Sequence, residues 1–178
     1  VGFENTLWLS QLQQALVIKL GVEFWRHQMP TCMGTLYWQL NDNWPVASWS
    51  SIEYGGKWKQ LHHHARRFYQ GVIVTSFQTQ DTVQIWAVND QAQPCPASVT
   101  ATVYDLTGKV GETLRFTADV PANGAVKLAE HPVIRLVGNR RDQLFLVLDL
   151  LAPGVQHRNL HVFTEYKRYD LLDPQITT

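Results

Sequence analysis

Met33-Gly-Thr-Leu-Tyr-Trp-Gln-Leu-Asn-Asp-Asn-Trp-Pro45 is the stretch on which the reading of the fold turns. Gly34–Asn41 is a short apolar and aromatic run of the kind that packs as a buried strand. It ends in the polar cluster Asn41-Asp42-Asn43, where a strand opens into a loop. Trp44-Pro45 begins that loop. Upstream, Leu9, Leu12, Leu16 and Leu20 recur at three- and four-residue spacing, which predicts a helix over 6–28, with Asn5 or Thr6 as its cap and Pro30 as its stop. Downstream, Gly55-Gly56 breaks the chain. A second helix is expected over 57–69, with Trp58, Leu61, Ala65 and Phe68 along one face. Helix, strand, long aromatic loop and helix cannot close a sheet or a barrel by themselves.

From Gly71 the character changes to alternation and turns. Residues 72–77, 82–89, 98–104, 112–118, 125–128, 143–150 and 160–166 read as strands of period two. They are punctuated by Gln93-Pro-Cys-Pro96, Thr107-Gly108, Asn123-Gly124 and Pro153-Gly154. Such strands predict an immunoglobulin-like antiparallel β-sandwich over 71–167, although the Cys–Trp–Cys hallmark of antibody domains is absent. Phe77, Trp86, Tyr104, Phe116, Phe145 and Phe163 fall at positions compatible with its interior. That arrangement favours a structural spacer over a sandwich that displays aromatics to a sugar. Residues 168–178 read as a linker toward a further domain.

Fifteen basic and fifteen acidic residues cancel, and no Lys/Arg run exceeds the pairs Arg66-Arg67 and Arg140-Arg141, so a nucleic-acid partner is not expected. No apolar run approaches the roughly 20 residues that span a bilayer, and residues 1–25 carry no basic-then-apolar leader. Cys32 and Cys95 fall in different units and are expected as free thiols. The aromatic residues are unevenly placed: Tyr37, Trp38, Trp44, Trp49, Tyr54 and Trp58 crowd into 22 residues of a chain that is 11% aromatic, which calls for a cause.

The segment Met33–Pro45, continued by Ser48-Trp-Ser-Ser-Ile-Glu-Tyr-Gly-Gly-Lys-Trp58 and Leu61-His62, resembles the end of the catalytic barrel in family 2 β-mannosidases. A weaker likeness extends to the related exo-glucosaminidases and β-galactosidases. The resemblance implies an α+β chain made of the last α/β unit of a (β/α)8 barrel, residues 1–70, followed by the sandwich. Gly34–Asn41 would be the eighth strand. Barrel active sites lie at the C-terminal ends of the strands, so Trp38, Asn41, Asp42 and Trp44 would face the substrate, with Trp38 as the floor under the cleaved sugar. An indole platform flanked by amide and carboxylate suits a pyranose, which has apolar C–H faces and a rim of hydroxyls. Residue type alone favours core packing for Trp38 and leaves Asn41–Asn43 equally a polar turn. Trp49, Tyr54 and Trp58 read as structural.

Retaining hydrolysis needs two carboxylates about 5–5.5 Å apart. The resemblance places both, as glutamates, on strands before this chain, so no catalytic residue is expected here and the chain alone is expected to be inactive. Glu23 reads as a solvated surface charge on the first helix. His62-His63-His64 point about 100° apart on a helix and make a poor metal site, and no cofactor is implied. The expected partners are a β-mannoside oligosaccharide and the remainder of the barrel. A non-catalytic carbohydrate-binding or interaction module, or a family 2 hydrolase of β-glucosaminides or β-galactosides, stands as the alternative.

Overall fold

The structure, a computed structural model, describes residues 2–171. The chain divides after Gly71 into two units. Residues 172–178 of the expected linker lie outside the described residues; within the rest, Tyr166–Arg168 make a single 3-10 turn.

The first unit is built on α1, Phe3–His27, and α2, Gln60–Phe68. The helix α1 starts three residues earlier than its sequence suggests, so Thr6 lies inside it and its hydroxyl donates back to the Gly2 carbonyl instead of capping. The face of α1 buried within the unit is also not the leucine row. Ala15, Ile18 and Val22, spaced by three and four, meet Leu61, Ala65 and Phe68 of α2, while Leu9 and Leu20 stay exposed. Glu23 is buried and not solvated, and it accepts from Lys19 at 3.0 Å. Arg26, also buried, reaches the C-terminal end of α2, where its guanidinium donates to the carbonyls of Phe68 and Gln70, the latter at 2.8 Å. Those are the carbonyls that a helix end leaves without intrahelical partners. The expected first turn of α2, including Trp58, is extended chain.

Between the helices, Gly34–Asn41 is not the strand that its composition suggests. Residues 34–38 form no ladder, and Asn41 makes one isolated parallel bridge to Ile52. A barrel strand takes its hydrogen bonds from a strand on each side, whereas among the described residues the backbone bonds to this segment come from residues 51–52. The peptide bonds Met29–Pro30 and Trp38–Gln39 are cis.

Among the described residues the second unit is a seven-stranded antiparallel sandwich. Strands β1 (Val72–Gln78), β2 (Thr82–Asn89) and β5 (Gly124–Pro132) form one sheet in the order β1-β2-β5. Strands β3 (Cys95–Asp105), β4 (Val110–Val120), β6 (Leu144–Ala152) and β7 (Val155–Val162) form the other, in the order β4-β3-β6-β7. Inward positions alternate as the pleat requires: Val83, Ile85 and Ala87 on β2, Val99, Ala101 and Val103 on β3, Leu144, Leu146, Leu148 and Leu150 on β6. A short helix α3, Val133–Val137, adds Val133, Leu136 and Val137 to that core.

Two expectations for the sandwich are corrected. Of its six aromatic positions only Phe163 is fully in the core. Trp86 alternates outward between Ile85 and Ala87, with its indole N–H on Gln84 Oε1, and Tyr104 stacks on its cross-strand partner Phe145 at 5.9 Å on the outer face. The last strand begins at Val155, directly after the Pro153-Gly154 turn, where Gly154 holds φ at 72°. Its register was obscured because the residues it turns inward are polar. His157 Nδ1 accepts the Val74 N–H at 3.3 Å, Asn159 Nδ2 donates to the Val74 carbonyl at 2.9 Å, and His161 bonds Ser76 and Gln78 at 3.0 and 3.1 Å. The edge strands β1 and β7 of the facing sheets are thus closed on one another by side chains, which satisfies backbone groups that an edge leaves open.

Candidate functional site

The aromatic segment is organised around a hairpin. Lys59 N–H donates to the Ser51 carbonyl and Glu53 N–H to the Lys57 carbonyl, and the chain reverses through Gly55-Gly56, where Gly56 sits at φ 87°. One arm lies along 39–42, with Ile52 N–H on the Leu40 carbonyl at 2.8 Å and Asp42 N–H on the Ile52 carbonyl at 3.0 Å. Helix α1 holds the assembly from outside, Gln14 donating to the Trp49 carbonyl and Gln11 accepting the Gln60 N–H.

Two polar nodes lie under that surface. At the first, Asp42 is 5% exposed and both its carboxylate oxygens are occupied. Ser48 donates to Oδ1 at 2.5 Å, while Ser50 and Lys59 donate to Oδ2 at 2.7 and 3.1 Å. Lys59 also reaches Ser50 Oγ, at 2.9 Å. The Ser48 and Ser50 hydroxyls, with the Lys59 ammonium, hold the Asp42 carboxyl below its usual range. At the second, buried Ser51 donates to the Leu40 carbonyl at 2.8 Å. Its single proton is then spent, so the Tyr37 hydroxyl at 2.9 Å is a donor to its oxygen, and His62 Nδ1 lies 3.0 Å from the same atom.

The four residues singled out by sequence therefore separate. Trp38 is 75% exposed and Trp44 61%, and Asn41 between them is exposed, its amide donating to the Asp42 carbonyl. Asp42 points inward, so the expectation that it faces a ligand is corrected. A carboxylate that accepts three hydrogen bonds from its own loop and is 5% exposed is turned toward those partners and away from the surface. Trp49, Tyr54 and Trp58, read as structural, are exposed as well, and the edges of His62 and His63 meet the Trp58 ring at 4.4 and 5.2 Å. What the sequence reading missed is the role of Ser48, Ser50, Ser51 and Lys59. The available signal was three serines within four residues beside an aspartate that needed partners once buried.

Glu53 pairs with Lys57 across the hairpin at 4.0 Å. His62 and His63 both pack against Trp58, and among the described residues no three His, Cys, Asp or Glu side chains converge as metal ligands. In the sandwich, an open groove of about 670 Å³ is lined by Pro96, Ser98, Thr117, Asp119, Leu151 and Pro153, among others. Its lining has no aromatic platform.

Comparison with known proteins bears on these arrangements. The family described as "Mannosidase Ig/CBM-like domain" matches residues 81–168. The "Beta-mannosidase" of Rattus norvegicus is 33% identical over 145 residues, covering 76% of this chain and 16% of the relative. That of Capra hircus is 45% identical over 95 residues, covering 49% and 11%. Among solved structures, the β-D-mannosidase of Dictyoglomus thermophilum superposes with a TM-score of 0.83 at 25% identity, over 96% of this chain and 21% of that one. The exo-chitosanase of Amycolatopsis orientalis, at 18% identity and a TM-score of 0.69 over 85% of this chain, shares the fold. The chain spans less than a quarter of the length of each.

Proposed function

Residues 81–168 belong to the mannosidase Ig/CBM-like domain family and the chain corresponds to a segment of family 2 β-mannosidases, and from that premise we propose that it is part of a retaining exo-β-mannosidase. The parent would hydrolyse terminal β-D-mannose residues from oligosaccharides or glycoconjugates. Residues 1–70 would end its catalytic barrel, and the sandwich would support that end. The observation that carries the reading is the exposure of the Trp38 indole, at 75%, on a turn anchored from beneath. The indole offers a flat apolar face, with the Asn41 amide and the Trp44 indole on the same short turn.

In that role Trp38 stacks against the C–H face of the sugar, while Asn41 and Trp44 bound it. The acid and the nucleophile come from the remainder of the barrel. Asp42, held below its usual carboxylate range by its three hydrogen-bond donors, is unsuited to donate a proton. That remainder would also cover the apolar surface of α1, where Leu9, Val17, Leu20, Phe24 and Trp25 are exposed.

The test is hydrolysis of nitrophenyl β-mannoside, β-glucosaminide and β-galactoside by the full-length protein. A preference for mannoside is expected, and Trp38→Ala is expected to lower kcat/KM at least about tenfold through lost stacking. A preference for either other sugar overturns the mannosidase reading. An undiminished Trp38→Ala variant overturns the floor.

A further inference from the structure

We propose that Asp42 is a positioning residue: with Ser48, Ser50 and Lys59 it forms a charge-anchored clasp that fixes where Trp38, Asn41 and Trp44 stand. The inference rests on reading those exposed side chains as a sugar wall, and it adds what keeps the wall in place.

A loop that displays indoles to solvent gives up the apolar burial that would otherwise order it. Residues 43–47 are exposed throughout, so the order of this stretch has to come from polar contacts. Asp42 supplies them from one end and Lys59 from the other, joining residues 17 positions apart at 3.1 Å. Their side chains are 2% and 15% exposed, so the pair is shielded from water in a way that surface pairs are not. Ser48 and Ser50 lie between them in sequence and bond the same carboxylate, which ties the middle of the loop to its ends. The Ser50 N–H donates to Ser48 Oγ at 3.1 Å and sets that hydroxyl's orientation toward Asp42. Asn41 and Trp44 are within two residues of the anchored position. Trp38 is reached through the ladder in which Ser51 N–H bonds the carbonyls of Gln39 and Leu40, at 3.0 and 3.1 Å.

The arrangement has a kinetic consequence. The clasp touches no reacting atom, so loosening it blurs the placement of the wall and leaves the distant carboxylates as they were. Ground-state binding should suffer more than the chemical step.

Asp42→Asn keeps the shape, loses the charge and leaves Lys59 without its counterion. In the full-length protein it is expected to raise KM for nitrophenyl β-mannoside about tenfold or more while kcat changes less. Ser50→Ala, a milder variant that folds more readily, should show the same split at smaller amplitude, and Lys59→Arg, which keeps the charge, should recover most of the loss seen in Lys59→Met. In the 178-residue chain, amide exchange at Asp42, Ser51, Ile52 and Lys59 should quicken in Asp42→Asn and Ser50→Ala. A lower melting temperature with KM unchanged overturns the positioning role, as do unaltered exchange rates. Wild-type protein inert toward β-mannosides, with exchange still quickened in the variants, overturns the proposed function but keeps the clasp.

Discussion

The sandwich and the helical unit handle polar and aromatic residues in the same inverted way and to opposite ends. In the sandwich, His157, Asn159 and His161 turn inward and Trp86, Tyr104 and Phe145 turn toward the outer faces. The inward polar row closes the β1–β7 edge, while an apolar core from Val72 to Phe163 carries the stability. In the helical unit, Asp42, Ser50 and Ser51 turn inward and the indoles of Trp38, Trp44 and Trp49 turn out, over a core of five buried apolar residues among those described. There the polar network replaces a core. One unit spends polar groups to seal an edge already backed by apolar packing, whereas the other spends them to hold a surface open. Function is expected where burial has been given up.

The two cores should show the contrast at its largest. Phe68→Ala, at a position 1% exposed against α1, is expected to cost about 3–5 kcal/mol, and Leu148→Ala, fully buried on β6, about 2–5 kcal/mol. Amide exchange in α2 reads the first and exchange in β3 and β6 the second. If Phe68→Ala left α2 as protected as before, the helical unit would owe little to its apolar contact and the contrast would have to be redrawn.

Next are the buried polar anchors. Arg26→Met strips the carbonyls of Phe68 and Gln70 of their donor, and Asn159→Leu removes the amide on the Val74 carbonyl; each is expected to cost about 1–3 kcal/mol in thermal unfolding. Equal losses would say that both units depend on such groups alike. A loss from Arg26→Met alone would sharpen the view that the sandwich draws on its core instead.

Acidity separates the units further. Burial is the main cause lowering the pKa of His64, with Arg67 and Lys19 adding to it, and burial likewise lowers that of His27; both residues are in the helical unit. A folded pKa below the unfolded value near 6.5 gives stability that is complete above about pH 6.5 and lost as pH falls through the folded value. Protection factors in α1 and α2, taken relative to the intrinsic exchange rate at each pH, should therefore fall between neutral and mildly acidic pH, and His64→Gln should reduce that dependence. The smallest effect is expected at Arg158, whose fork bonds Asp149 at 2.6 and 3.1 Å on the exposed face of β6 and β7. Arg158→Ala should cost no more than about 1 kcal/mol in chemical denaturation.

Much of this was legible along the chain. The alternation in Thr82–Asn89 and Leu144–Leu150, with turn residues between, marks strands because a half-buried pleat demands that pattern. The run from Trp38 to Trp58 stood out by composition. What could not be read there were the faces. The leucine row of α1 satisfies helical periodicity as well as the Ala15–Val22 row does, and only the position of α2 decides which one is covered. Gln156-His-Arg-Asn-Leu-His161 looks like loop because its inward residues are polar, and their partners on β1 lie about 80 residues away in sequence. Asp42 and Asn41 are adjacent polar residues of one turn, and nothing in their order says that one is buried.

By itself, then, the sequence determined the element types, the change of character near Gly71 and the aromatic crowding of residues 37–58, because periodicity, turn chemistry and composition act over a few neighbours. The tertiary structure decided that Gly34–Asn41 goes largely unpaired, that the last strand closes the sandwich with histidines, and that Asp42 holds the loop while Trp38 and Trp44 face outward. Those outcomes depend on contacts 6 to 85 residues apart, where the environment of a side chain and not its type sets what it does.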